Sequence, residues 1–213
     1  MRIIIITQSD PFYLAENIDY LLRNISSSSE VVGCVVFDVS PFGKKETMAQ
    51  KALKTVRIFG PGFFMRYSIR MLINKFNSSK NVEKVLMKYN IPVIRLKSGI
   101  NSPESLHTIS GYKPDLLISI AGNQIFKRPL IDLAPKGCLN LHSALLPKYR
   151  GLMPTFWALK NDEQYTGVSV FFVDEGIDSG PILVQKKIEI GEGRSLEEMI
   201  QHTKKIGMDS IIE

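Results

Sequence analysis

Asn140 and His142 stand two residues apart at the end of an apolar run, Cys138-Leu139-Asn140-Leu141-His142. In a strand, alternate residues share a face, so the amide and the imidazole would project together. An imidazole takes or gives a proton near neutral pH, and an amide N–H can donate to a developing oxyanion. Further along, Asp178 lies in Asp174-Glu175-Gly176-Ile177-Asp178-Ser179-Gly180, where the glycines allow tight turns and close approach to a ligand. A carboxylate beside the imidazole would orient the ring and stabilise its charged form. The three groups together suit attack on a carbonyl. An Asn-x-His pair alone is weak, and a satisfied core histidine is the competing reading of His142. His107 and His202 sit on helix-like segments without such company, and three histidines with no acidic cluster around them argue against a metal site.

These groups need a scaffold, and the chain supplies one. Residues 2–7 and 31–39 read as buried strands and residues 14–24 as an amphipathic helix, which is the opening of a parallel α/β sheet. Further strands are expected at 93–96, 115–120 and 137–142, with helices at 81–89, 103–110 and 154–160. Residues 167–173 and 181–190 alternate and are joined by a short loop, so they read as an antiparallel extension. The fold class is α/β: a Rossmann-like, mostly parallel sheet flanked by helices, with antiparallel strands near the C-terminus. In such sheets ligands sit outside the carboxyl ends of the strands. Three polar clusters fall there: Thr7-Gln8-Ser9-Asp10, Asn140-x-His142 and the 174–180 loop. Gln8, Ser9 and Asp10 are candidate substrate contacts, with turn capping by Asp10 an equal alternative. No Gly-x-Gly-x-x-Gly follows the first strand, which disfavours a dinucleotide oxidoreductase.

The 213 residues are 44% hydrophobic and 23% charged, ordinary for a globular chain with one full core. The apolar run Ile3 to Ile6 is too short for a signal peptide or a span. Cys34 and Cys138 lie in apolar runs and read as buried free thiols in a reducing, cytoplasmic setting. The net charge of +6 is uneven: residues 42–80 hold nine basic residues against Glu46, a local +8, and the rest sums to −2. That insertion-like segment, with a basic, aromatic helix at 63–76, points to a local anionic contact rather than a nucleic-acid-coated surface. Its apolar face is expected to pack on the domain with the charges in solvent; contact with an anionic partner, such as a membrane surface, a nucleotide diphosphate or another subunit, is the less favoured alternative.

The run Asn140-Leu141-His142-Ser143-Ala144-Leu145-Leu146-Pro147, with Asp178 36 residues after the histidine in a D-x-G-x-D-x-G-like loop, resembles the signature of the 10-formyltetrahydrofolate-dependent formyltransferases. Ala144 is a departure, and the resemblance covers about residues 114–190. It implies one formyltransferase catalytic domain over 1–213 and transfer of a formyl group from 10-formyltetrahydrofolate to a primary amine, without metal. Asn140 would hold the formyl oxygen, His142 would assist proton movement and Asp178 would orient it. Gln124, Ile125 and Phe126 on one side and Asp174, Gly176 and Ile177 on the other would take the pteridine. The run Lys148-Tyr149-Arg150-Gly151 and Pro154-Thr155-Phe156-Trp157 resembles the sugar N-formyltransferases most. It implies a nucleotide-linked amino sugar as acceptor, in polysaccharide synthesis, with Lys148, Tyr149 and Arg150 as further contacts and no nucleic-acid partner; a homodimer is left open. Alternatives are methionyl-tRNA or glycinamide ribonucleotide as acceptor, formyltetrahydrofolate hydrolysis, or a non-catalytic folate-binding module.

Overall fold

The computed structural model describes residues 1–39 and 47–213. Lys44, Lys45 and Glu46 of the expected basic segment therefore lie outside the described residues. Seven strands, β1 (Arg2–Gln8), β2 (Glu30–Phe37), β3 (Val93–Ile94), β4 (Leu116–Ile120), β5 (Cys138–His142), β6 (Tyr165–Phe172) and β7 (Ile182–Glu189), form one sheet. The helices are α1 (Leu14–Asn24), α2 (Met48–Phe59), α3 (Pro61–Phe76), α4 (Val82–Lys88), α5 (Pro103–Ser110), α6 (Arg128–Ile131), α7 (Pro154–Lys160) and α8 (Leu196–Ile212).

The strand order is β3-β2-β1-β4-β5-β6-β7. Pairings among β1 to β5 are parallel, and β5–β6 and β6–β7 are antiparallel. The expected α/β sheet with its antiparallel extension is therefore the one observed. The unbroken Ile3 to Ile6 run is explained by burial on both faces of β1. Ile3 and Ile5 pack with α1, α4 and α8, through Ile18, Leu86 and Met199 among others. Ile4 and Ile6 pack with α5 and α6, through Ile109 and Leu130. Each of these isoleucines, at most 2% exposed, contributes about 1.5–3 kcal/mol by leaving water. After β3 the chain crosses back to lay β4 on the other side of β1. The carboxyl ends of β1 and β4 thus flank a topological switch point, where α/β sheets open a crevice.

Ser195 and Glu198 form a capping box that starts α8. Gly207 then lets this helix lie close on β5, since a Cβ there would come 2.7 Å from Leu141 Cδ2. Both cysteines are buried and free. Burial alone pushes the Cys138 thiol up to about 12 and the Cys34 thiol higher still.

Two features of the basic segment differ from expectation. A second helix, α2, precedes α3; its signal was Thr47-x-x-Gln50, a capping box now formed on both sides. The apolar side of α3 does not pack on the domain: Met65, Ile69, Leu72 and Ile73 are each more than half exposed. What ties α3 down is its other side. Tyr67 packs on Phe12 with ring centroids 4.7 Å apart, and the Arg70 guanidinium sits 5.4 Å over Phe12. Arg70 also pairs with Glu197 of α8, and Asn74 Nδ2 donates to the Pro11 carbonyl at 2.9 Å. The helix braces the loop after β1, and its charges serve that contact as well as the solvent.

Candidate active site

β5 delivers the first two groups. Its register sets Asn140 opposite Ser119 of β4 and Phe171 of β6, and His142 opposite Ser169. Leu139 and Leu141 point to the opposite face and enter the core. The Asn140 amide makes no hydrogen bond within the protein among the described residues, so its donors face the crevice unspent.

The chain after β5 is pinned by Ser169, whose hydroxyl donates to the Ala144 carbonyl at 2.7 Å and accepts from the Leu146 N–H at 3.2 Å. It then curls through left-handed backbone at Tyr149 (φ 57°) and Gly151 (φ 87°). This brings the Tyr149 carbonyl to 2.7 Å from His142 Nε2. A carbonyl can only accept, so Nε2 carries a proton, and Nδ1 is the ring nitrogen left for chemistry.

Nδ1 faces Asp178 Oδ2 at 3.4 Å, an ion-pair contact longer than a good hydrogen bond. The same oxygen accepts the Gly151 N–H at 2.8 Å, so one loop holds both the imidazole and the carboxylate. The His142 side chain is 8% exposed and that of Asp178 17%. Asp178 itself is in left-handed backbone, φ 47°, which costs on the order of 1 kcal/mol in a non-glycine residue. The loop is held to that shape by Asp174, whose Oδ1 accepts from the Gly176 N–H at 3.0 Å and the Ser179 hydroxyl at 2.7 Å. Gly180 closes it: a Cβ there would lie 1.8 Å from the Phe172 carbonyl oxygen, which is backbone and cannot yield. Gly180→Ala is therefore expected to lift the loop and lower whatever turnover this site supports by at least about tenfold, with the far-ultraviolet circular dichroism unchanged. Kinetics and dichroism on the one variant check this; full activity would mean the loop is not fixed by this approach.

The groups line a cleft of about 620 Å³ at the switch point. All six residues expected to take the pteridine line it: Gln124, Ile125, Phe126, Asp174, Gly176 and Ile177. The Gln124 side-chain oxygen Oε1 accepts the Ile100 N–H at 3.0 Å, which leaves the amide's own N–H donors for a ligand. Of the substrate-side candidates, Gln8 lines the cleft and the others do not. Asp10 Oδ1 instead accepts the Phe12 N–H at 2.6 Å and caps the turn. Lys148 and the Tyr149 hydroxyl both bind Glu163, at 3.1 and 2.8 Å, and Arg150 is exposed. The hydroxyl first and the lysine second hold the Glu163 carboxyl below its ordinary value.

Sequence reasoning missed several lining groups. Asn123 donates to the Asp38 carbonyl at 2.7 Å and leaves its own Oδ1 buried without a partner. Tyr13, Leu152, Met153 and Lys204 also line the cleft. Nothing local marks them in the sequence, because α8 and the loop after β1 meet only through the fold. Among the described residues no His, Cys, Asp and Glu are grouped to hold a metal, and no helix is long and apolar enough to cross a membrane.

The formyl transferase family profile matches residues 70–213. The chain belongs to that family. Its Asn140, His142 and Asp178 all fall inside the matched region. The chain is 39% identical to a methionyl-tRNA formyltransferase of Kosmotoga olearia over 132 residues, 62% of this chain and 42% of that one. It is also 39% identical to the enzyme of that name from Thermosipho africanus over 132 residues, again 62% and 42% of the two chains. It thus spans less than half the length of these relatives. In fold it is similar to the phosphoribosylglycinamide formyltransferase of Bacillus halodurans, with a TM-score of 0.67 at 18% identity over 100% of this chain and 92% of that one. The corresponding protein of Anaplasma phagocytophilum gives 0.69 at 16% identity, over 98% and 82%.

These relatives overturn one expectation. A nucleotide-sugar acceptor with no nucleic-acid partner does not stand beside relatives named for methionyl-tRNA. That expectation rested on the 148–151 and 154–157 runs together, and the physical reason lies in the 148–150 turn of the first. Its side chains brace Glu163 or face solvent, so their identity says little about what enters the cleft.

Proposed function

We propose that this chain moves the formyl group of 10-formyltetrahydrofolate to a primary amine, and that the amine is the aminoacyl group of methionyl-tRNA. The observation that carries the reading is the meeting of Asn140, His142 and Asp178 in one cleft from two loops sharing the Gly151 N–H and the Tyr149 carbonyl. The tRNA acceptor rests on the relatives' names, and the loop after β1 supports it over glycinamide ribonucleotide, having no glycine to cradle a phosphate. The residues fit a folate. Ile125, Leu152, Met153 and Ile177, each more than half exposed, give a flat ring apolar surface to cover. The orphaned Asn123 Oδ1 offers an acceptor for a ring N–H.

In this reading the 213 residues work as one catalytic domain. The amine nitrogen attacks the formyl carbon, and the new C–N bond places negative charge on the formyl oxygen, where the Asn140 amide donates. The amine's proton passes to the Nδ1–Asp178 side of the imidazole, and then to the folate nitrogen as its bond to the formyl carbon breaks. Asp178 balances the imidazolium in between, and Tyr149 keeps the ring from turning.

The test is incubation with 10-formyltetrahydrofolate and, separately, methionyl-tRNA, glycinamide ribonucleotide or buffer alone. Formylated methionine on the tRNA is expected. Transfer only to the ribonucleotide would reassign the acceptor, and formate release in buffer at the same rate would make the protein a hydrolase.

A further inference from the structure

The bare side of α3 has no role in the steps above. At about 100° per residue, Met65, Ile69, Leu72 and Ile73 fall within one arc of about 100° on the helix. Their exposures are 63, 52, 60 and 63%. Tyr67, Arg70 and Asn74 hold the other side against Phe12, Glu197 and Pro11, so the stripe points away from the domain. A helix that packs on a globular core ordinarily turns its polar residues outward, and this one turns out aliphatic side chains. Large apolar residues exposed singly need no explanation, whereas four side by side mark a surface that something covers.

Charge decides what can cover it. Residues 48–76, which make α2, α3 and the turn between them, hold six basic residues and no Asp or Glu. Arg70 is paired with Glu197. Arg66 borders the stripe beside Met65 and is exposed, as are Arg57 and, one turn before it on α2, Leu53. A second copy laid on this face would set like charges against each other. A nucleic-acid backbone would answer the charges but leave the four aliphatic side chains without an apolar cover. An acidic lipid surface supplies both partners: acyl chains for the stripe and headgroup phosphates for the guanidinium groups at its margin.

We propose that α3, flanked by the basic residues of α2, docks this protein on the surface of an anionic membrane. The helix lies in the plane of the interface, with Met65, Ile69, Leu72 and Ile73 below the headgroups and Arg66 at their level. At 16 residues α3 lies on the bilayer rather than across it. Its inner side is already fixed to the loop after β1, so docking orders no new segment and the binding energy is not spent on folding. The contact is reversible and weakens as salt rises, since part of it is charge attraction over a Debye length. It is independent of which amine accepts the formyl group.

Co-sedimentation of the intact protein tests it, with vesicles of phosphatidylcholine and phosphatidylglycerol in equal parts and with vesicles of phosphatidylcholine alone. Binding at least about tenfold tighter to the acidic vesicles is expected at low salt. The double variant Ile69→Gln/Leu72→Gln should bind them at least about tenfold more weakly, because two aliphatic side chains no longer enter lipid. Glutamine is a good helix former, and both positions face away from the domain, so the melting temperature should stay at the wild-type value. Arg66→Gln should weaken binding to acidic vesicles by about fivefold and leave binding to neutral ones unchanged. Absence of wild-type binding to acidic vesicles at low salt, equal affinity for neutral vesicles, or full binding by the double variant would each overturn the proposal. So would a wild-type dimer that the double variant splits without any vesicle binding, which would give the face to a second copy. Weakened tRNA binding by Arg66→Gln without any vesicle binding would give it to RNA instead.

Discussion

Asp178→Asn is expected to lower kcat for formyl transfer by about 10²–10⁴, with little change in either KM, the range that positioned proton transfer supplies. The substitution keeps the size of the side chain, and its carbonyl oxygen can still accept the Gly151 N–H that Asp178 Oδ2 holds at 2.8 Å. The loop should therefore stay in place. What changes is the partner of His142 Nδ1. The oxygen that accepts the Gly151 N–H is also the one 3.4 Å from Nδ1, so a neutral amide oxygen takes the place of the carboxylate there. Because Nε2 is already bound to the Tyr149 carbonyl, Nδ1 is the nitrogen that must take the amine's proton, and it would do so with no carboxylate beside it. The imidazolium would also lose its counter-charge. Steady-state kinetics with a melting curve would check this. A loss under about fivefold in a protein of unchanged stability would show that Asp178 only shapes the loop.

The parts of this site that were legible in the sequence are those whose geometry is local. Two residues apart on a strand puts Asn140 and His142 on one face whatever the rest of the protein does, and β5 ends at His142 as its apolar run does. The Asp174 to Gly180 loop announced itself through its glycines, and Gly180 turns out to sit where no Cβ fits. The parallel sheet and its two antiparallel strands followed from element order and loop length. What was not legible depends on long-range packing. The Tyr149 carbonyl that fixes the histidine tautomer is a backbone group in a loop with left-handed residues, and no side-chain pattern encodes it. No local pattern singles out Lys204, and only the docking of α8 across β5, through Gly207 on Leu141, brings it to the cleft. The apolar stripe of α3 looked like a core face because periodicity tells which residues share a side, not whether anything covers that side. Lys148, Tyr149 and Arg150 looked like ligand contacts because they follow the signature, but a bound Glu163 takes two of them.

Asn140→Ala is expected to lower kcat by about 10²–10³, the usual loss when one donor to a developing oxyanion is removed. The case rests on what the amide does not do. It makes no hydrogen bond within the protein among the described residues, so it supports no element of the fold. Its neighbours Leu139 and Leu141 carry the packing of β5 from the other face. Truncation should thus leave the melting temperature close to wild type, whereas a core substitution at either leucine would cost about 2–5 kcal/mol. The amide is aimed by strand pairing on both sides, at Ser119 and at Phe171, and so needs no reorganisation as charge appears on the formyl oxygen. Asn140→Asp should be worse than alanine. It would replace donors with a second carboxylate in the cleft that holds Asp178, repelling the charge it ought to stabilise. The double variant Asn140→Ala/Asp178→Asn separates a working unit from two independent aids. If oxygen stabilisation and proton removal act in the same step, losing both should cost far less than the product of the single losses, because the first already removes most of what the second supports. A product of the two losses would mean that the amide and the carboxylate act at different steps, with His142 linking neither.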